Sequence, residues 1–380
     1  LNMLGWLTMI MLGVYYNLIP VVLHPAKVNT RAGKWLFWIY TLGLAGMVIG
    51  LATANRLLLP MGAVLLSTSL IFHGVSFCIV CLRRLRSDET WPTVVAFSFA
   101  FAFLTETAVL GGLMGLALGG FLSSDWIRLA PVHFTAGIGG WLGFTVIGAS
   151  YRLVPLFFSV VLDRWSGFLA GAALLLIGGG LLTVQILLAA GSPMEIVRWV
   201  SLFPVLGAVF FLADMARTMA KRKYKKPAPV TLLTAAAMAH FLLALLIYAG
   251  SRSGLLPLDW TIPAGYLGLF AAPTLLIFGQ LSRILVFLTA IDLAEGAKRR
   301  GIVHLQTELL RPKVMNWGYG LFQVAVLFFL LLFLFPGQEF WALPAALLQS
   351  TGILLFIIGL SRVFGERWKH RRLLEEEVER

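Results

Sequence analysis

Long apolar runs separated by short polar and basic segments dominate the chain. Each run is about 20 residues long, which is the length that an α-helix needs to cross the hydrocarbon core of a bilayer. The pattern predicts an all-α polytopic membrane protein with eleven transmembrane helices. The predicted spans cover residues 1–22, 36–54, 57–82, 92–120, 133–158, 166–190, 198–216, 229–249, 261–290, 316–335 and 341–361.

The composition supports a lipid-embedded chain. Apolar residues make up 59% of the 380 residues and charged residues only 12%, whereas a soluble domain has about 25% charged residues. The mean hydropathy is +0.89. These values exclude a soluble protein and make the lipid bilayer the first expected partner.

Basic residues are concentrated in alternate connections between the predicted spans. This set lies in residues 27–34, 83–86, 217–226 and 298–313 and in the tail 362–380. By the positive-inside rule these connections face the cytoplasm, which places residue 1 on the outer side and the C-terminus inside, as in a bacterial cytoplasmic membrane. The net charge of +13 is therefore mostly a topology signal, and no nucleic-acid partner is expected.

One sixteen-residue segment occurs twice. The segments "GWLTMIMLGVYYNLIP", residues 5–20, and "GWLGFTVIGASYRLVP", residues 140–155, share Gly, Trp, Leu, Tyr and Pro at the same offsets. A weaker third copy, "AGYLGLFAAPTLLIFGQLSRILVFL", covers residues 264–288. All three copies run in the same direction across the predicted membrane, so they indicate a parallel repeat.

The repeat predicts the internal organisation of the chain. Its units are residues 1–132, 133–260 and 261–361, followed by a charged cytoplasmic tail, 362–380. The chain begins with Leu inside an apolar run, and a further helix before Leu1 is expected. That helix would give twelve spans in three four-helix units, related by pseudo-three-fold rotation about the membrane normal.

These features resemble subunit I of the heme-copper oxidases and their nitric-oxide-reductase relatives, in particular the short stand-alone oxidase-subunit-I-like proteins. The resemblance rests on the topology and on the three repeated segments, the second of which extends to "VHFTAGIGGWLGFTVIGASYRLVP". In that family, helices two, six and ten carry His near the outer face, where they bind heme iron or copper. The resemblance therefore implies that His133 is a cofactor ligand, and a further His is expected just before Leu1.

The chain departs from the family pattern at other ligand positions. Ala264 and Tyr266 stand where the tenth helix would carry His, and the span 166–190 contains no His where the family has copper ligands. Gly137 occupies the place of a Tyr four residues after His133. The resemblance thus implies a b-type heme as the cofactor to expect. Copper is not expected, and oxidase or nitric-oxide-reductase chemistry is doubtful.

Three further candidate site residues fall inside predicted spans. Glu106 is the only acid expected deep within a span, where it forms either a proton path or a neutral hydrogen-bonded group. His73 and His240 are further candidate heme ligands, and hydrogen bonding between helices is the competing interpretation.

Three functional hypotheses follow. The first is a heme-binding electron-transfer subunit, or a degenerate structural member, of a respiratory or nitrogen-oxide complex, with other subunits and a cytochrome or quinone donor as partners. The alternative is a proton- or metal-coupled transporter or channel that uses Glu106, His73 and His240. A scaffold that binds lipid, quinone or pigment without chemistry of its own is the third.

Overall fold

The computed structural model describes residues 2–23, 29–84, 91–222, 229–300, 309–335 and 339–378. All regular elements in this part of the chain are helices. The α-helices are α1 Met9–Val22, α2 Thr30–Ala52, α3 Leu58–Leu82, α4 Trp91–Leu118, α5 Ala130–Phe134, α6 Phe144–Phe158, α7 Arg164–Ala189, α8 Met194–Val200, α9 Leu202–Ala220, α10 Pro229–Ser253, α11 Thr261–Tyr266, α12 Ala272–Arg300, α13 Pro312–Leu334 and α14 Ala342–Val378.

Ten helical segments among the described residues are long and apolar enough to cross a membrane, between Thr30 and Gly365. Each coincides with one of the last ten predicted spans. The first predicted span, 1–22, forms a π-helical segment followed by α1, whose apolar part is shorter. Large apolar side chains such as Trp35 and Leu175 are 73% and 74% exposed, as expected for surfaces that face lipid tails. The chain is an all-helical polytopic membrane protein.

The helices form two compact units, Leu1–Lys223 and Tyr224–Arg380. The first contains α1 to α9 and the second contains α10 to α14. In the first unit α3 packs against α2 on one side and α4 on the other, while α9 packs against α6 and α7. The division into three repeat units remains a prediction, because compactness reports contacts and not internal homology.

In the described part of the chain three helices contain π-helical segments, whose turns are wider than those of an α-helix. They are Asn2–Thr8 before α1, Thr135–Gly143 between α5 and α6, and Leu267–Ala271 between α11 and α12. These are the three helices that carry the repeated sequence. The three copies can be aligned at Gly13, Gly148 and Gly279. In this alignment the two shorter π segments fall at positions that correspond to residues of the longest one. Such segments are rare and occur frequently at functional sites.

A closed ring of hydrogen bonds joins the helices of the first two sequence copies. The Trp141 indole N–H donates to the Tyr15 hydroxyl over 3.1 Å, and the Thr145 hydroxyl donates to the Trp141 carbonyl over 2.7 Å. The Tyr15 hydroxyl contacts Thr145 Oγ1 and, because the Thr145 proton is already used, Tyr15 is the donor. Each polar group of this buried ring is thereby satisfied, which fixes α1 against α6.

Candidate functional site

His133 lies at the end of α5, directly before the π segment Thr135–Gly143, and its ring packs against α4. The ring Nδ1 is 3.0 Å from the carbonyl oxygen of Thr107. A carbonyl only accepts hydrogen bonds, so Nδ1 carries the proton and donates. The lone pair is therefore on Nε2, which has no hydrogen-bond partner among the described residues. A His oriented through Nδ1 by a backbone carbonyl is the usual arrangement of a metal-ligating imidazole.

The imidazole fits at this place because α4 has a glycine beneath it. A Cβ built at Gly111 would lie 3.0 Å from Cε1 of His133. A Cβ built at Gly137, one turn after His133, would lie 3.2 Å from Cγ2 of Thr107. Small residues thus let α5 and the π segment approach α4 closely enough for the Nδ1 hydrogen bond, as is usual in membrane helix packing.

Glu106 lies in the middle of α4, next to the residue whose carbonyl holds His133. Its half-buried carboxyl is within reach of the Gln185 side chain on α7. The Gln185 Nε2 is buried and not in hydrogen-bonding geometry with any described residue. Glu106 and Gln185 are therefore polar neighbours on two membrane-spanning helices, and both interpretations of Glu106, a proton path and a neutral hydrogen-bonded group, stay predictions.

His73 occupies a different position around α4. Only 2% of its surface is exposed, its Nδ1 is 2.8 Å from the Ser69 carbonyl, and its ring packs edge-on against Tyr16. The neighbouring Gly74 contacts α4 at Thr105, whereas His133 contacts it at Thr107 and Gly111. At about 100° per residue these contacts lie on different faces of α4. The structure therefore does not bring His73 and His133 to a common site.

His240 belongs to the second unit, where it lies on α10 and is largely buried. Its ring is within reach of the Gln323 side chain on α13. The His240 Nδ1 and the Gln323 Nε2 are both buried without a hydrogen-bond partner in the described part of the chain. The two side chains are therefore neighbours on two helices. Within the described residues no group of three or more His, Cys, Asp or Glu side chains is arranged to hold a metal ion.

The structure reveals a polar cluster that the sequence interpretation missed, at the start of α7. Asp163 caps α7 by accepting a hydrogen bond from the Ser166 backbone N–H over 3.0 Å. It also forms ion pairs with Arg217 of α9 and with Lys221, directly after α9. Hydrogen bonds from Lys221, from the Ser166 N–H and from Arg217 hold the pKa of the Asp163 carboxyl well below its usual range. The Asp163 carboxylate thus stays ionised in this cluster.

Asp214 of α9 lies beneath this cluster and is fully buried, with 0% of its surface exposed. The Ser166 hydroxyl donates to its Oδ1 over 2.8 Å. The sequence predicts Glu106 as the only acid deep in a span, but Asp214 lies within the predicted span 198–216 and is more buried than Glu106. The sequence contains one signal for this site. Asp214 lies three residues before Arg217, near the end of a predicted span.

Together these features define a polytopic α-helical membrane protein with polar sites inside its first unit. In comparisons with known proteins, no family model and no curated protein matches the chain.

Proposed function

We propose that the chain is a heme-binding membrane subunit related to subunit I of the heme-copper oxidases, and that it carries electrons within a respiratory or nitrogen-oxide-handling complex. The observation that supports this function best is the geometry of His133. Its Nδ1 donates to the Thr107 carbonyl, so the lone pair of Nε2 would be the group that holds the heme iron. The bound heme would supply one-electron redox chemistry, and a cytochrome or quinone would be the donor.

The register of the π segments supports the family relationship. A pseudo-three-fold protein would place the same local irregularity at the same position in each repeat, and the segments Asn2–Thr8, Thr135–Gly143 and Leu267–Ala271 fit this expectation. We propose on this basis three parallel repeats of four helices, with residue 1 outside and the C-terminus in the cytoplasm of a bacterium.

Electron transfer accounts for the residues better than oxygen or nitric oxide reduction. Reduction at a heme–metal centre needs an iron with an open position and a second metal with its own ligands. The third sequence copy has Ala264 and Tyr266 at the expected ligand positions, and neither an alanine methyl nor a hydrogen-bonded phenol replaces an imidazole there. The Tyr266 hydroxyl instead accepts a hydrogen bond from Gln349 over 2.7 Å. A six-coordinate heme is less demanding because it needs two axial ligands only.

The test is a visible spectrum of the protein purified from heme-replete cells in detergent. A reduced-minus-oxidised difference spectrum is expected to show the bands of a b-type heme. Pyridine hemochrome is expected to give heme in stoichiometric amount relative to the chain. Protein that is monodisperse and carries no hemochrome signal would overturn the proposal.

A proton- or metal-coupled transporter is the second candidate, and the pairing of Glu106 with Gln185 favours it. An ionisable residue in the middle of a membrane helix is costly and usually functional. In this role Glu106 would take up and release a proton while Gln185 keeps it oriented. His73, in the first unit, and His240, in the second, are the other two residues that this hypothesis assigns to the path.

Glu106→Gln is expected to abolish transport if this second function is correct, because the amide cannot bind and release a proton. The measurement is proton flux into vesicles that contain the purified protein and a trapped pH-sensitive dye, started by adding a divalent cation outside. Glu195→Gln, at an exposed position of α8, is the matched control and should retain the wild-type flux. Equal flux in both variants would exclude the Glu106 path.

A further inference from the structure

We propose that Asp214 is a proton-binding site of the first unit, in which the buried carboxyl is neutral because Asp163 takes the two nearby cations. This inference does not depend on heme binding or on transport. It concerns the junction of α6, α7 and α9, which provide Tyr151, Ser166 and Asp214, and the segment before α7, which provides Asp163.

Burial and hydrogen bonding are the first observations. Asp214 is fully buried and Tyr151 is 3% exposed. The Tyr151 hydroxyl lies beside the Asp214 carboxyl, yet Tyr151 Oη and Asp214 Oδ2 have no partner in hydrogen-bonding geometry among the described residues. Two polar oxygens in an apolar environment therefore face each other with one hydrogen-bonding role unfilled.

The distribution of charge is the second observation. Arg217 donates hydrogen bonds to Asp163 from both terminal nitrogens, with Nη1 at 3.1 Å from Oδ1. Lys221 Nζ lies 2.6 Å from Oδ2 of Asp163. Asp214 has no ion pair among the described residues, although Arg217 is one helical turn away. The partly exposed Asp163 thus holds the cations, while the buried Asp214 has the neutral hydroxyl of Ser166 as its only hydrogen-bond partner among the residues that the structure describes.

This partition decides the protonation state. A buried carboxylate without a paired cation is expensive, and the usual resolution is that the group binds a proton. The charged and titratable groups that face Asp214 are Asp163 from the segment before α7, Arg217 from its own helix and Tyr151 from α6. Asp163 is an anion, Arg217 is paired with that anion and compensates a charge on Asp214 only in part, and Tyr151 is a neutral phenol, so burial outweighs their effect.

A neutral Asp214 also satisfies the local hydrogen bonds. Its carbonyl oxygen Oδ1 accepts the Ser166 hydroxyl, and a proton on Oδ2 can be donated to Tyr151 Oη after a small adjustment. Release of this proton would leave a carboxylate one turn from Arg217, which would then be shared between two acids. Proton binding at Asp214 is therefore coupled to the ion pairs that tie the start of α7 to α9.

Infrared spectroscopy of the whole chain in lipid tests the proposal. The C=O stretch of a protonated carboxylic acid is followed while the pH is raised from mildly acidic to alkaline, with exchange into D2O to identify carboxyl bands. A band that persists at neutral pH and disappears in Asp214→Asn is expected. Glu106→Gln identifies any separate band from Glu106, and Asp125→Asn, at an exposed pair with Arg128, should change nothing.

Asp163→Asn tests the coupling itself. Removing the anion frees Arg217 and Lys221, so the Asp214 band should be lost at a lower pH than in the wild-type protein. If Asp214→Asn does not accumulate in membranes, Ser166→Ala and Tyr151→Phe serve instead, and each should shift the frequency of the band. The proposal is overturned if no neutral-pH band responds to these substitutions, or if Asp163→Asn leaves the titration of the band unchanged.

Discussion

Gly62→Ala is expected to lower the thermal stability of the first unit strongly, because the added methyl group would collide with the backbone of α2. A Cβ at Gly62 would lie 2.2 Å from the Met47 backbone nitrogen and 2.7 Å from the Gly43 carbonyl oxygen. Neither atom can rotate away as a side chain could. The axes of α2 and α3 would have to separate, and the contacts along both helices would loosen together.

The glycines of α2 are packed as closely against the backbone of α3. A Cβ at Gly43 would lie 2.5 Å from the Leu66 nitrogen, and one at Gly50 would lie 2.4 Å from the Leu59 nitrogen. Lipid tails are as apolar as the side chains, so association of α2 with α3 depends on this close backbone packing and not on the exclusion of water. At these three glycines the two helices leave no room for a methyl group.

Overpacking of this kind costs about 1–3 kcal/mol and sometimes more. The measurement is the unfolding midpoint of the detergent-solubilised protein. Gly167→Ala on α7 is the matched control, since nothing lies within 4 Å of its added Cβ and alanine is about 1 kcal/mol better than glycine in a helix interior. A midpoint for Gly62→Ala equal to that of the control would show that α2 and α3 are not packed as described.

The spans were predictable because the bilayer imposes them. In lipid the backbone must satisfy its own hydrogen bonds, so every apolar run of sufficient length becomes a helix. The helix ends were less predictable. The second span was expected from residue 36, but α2 begins at Thr30 because Asn29 accepts the Ala32 backbone N–H over 3.1 Å and caps the helix there. Capping depends on polar side chains such as Asn29, and a hydropathy pattern assigns polar residues to the loops.

The Asp214 site was not predictable for a related reason. A carboxyl near the end of a span is normally exposed to headgroups, and a single sequence gives no reason to bury it. Its burial results from Tyr151 and Ser166, which lie on two other helices and are 63 and 48 residues away in the chain. Likewise, the candidate residues Glu106 and His133 were identified by type and place, but the partners Gln185 and Thr107 became visible only in three dimensions.

The π segments could not be predicted from hydropathy, for a different reason. An apolar run has the same hydropathy whether its turns hold the usual number of residues or one more, so the pattern cannot reveal the irregularity at Thr135–Gly143. Sequence repetition nevertheless located the three helices that share it. A repeat that looks like a packing device in the sequence thus coincides with a local change of backbone geometry directly after His133.

His133→Ala is expected to remove the heme signal, because this substitution deletes the ligand that the Thr107 carbonyl orients. The expected result is loss of the hemochrome in proportion to protein, with a monodisperse elution profile to separate heme loss from misfolding. Phe134→Ala, at the exposed residue next to His133, is the control. It should keep its heme if the loss in His133→Ala comes from the missing imidazole.

Gly111→Ala distinguishes a ligand from a bystander more finely. Its added Cβ would lie 3.0 Å from Cε1 of His133, so the ring must shift by a few tenths of an ångström while the imidazole itself remains. If Nε2 holds the iron, the heme bands should shift or weaken in Gly111→Ala and vanish in His133→Ala. If both variants retain the wild-type spectrum, the iron is held elsewhere, and His73 or His240 becomes the residue to replace next.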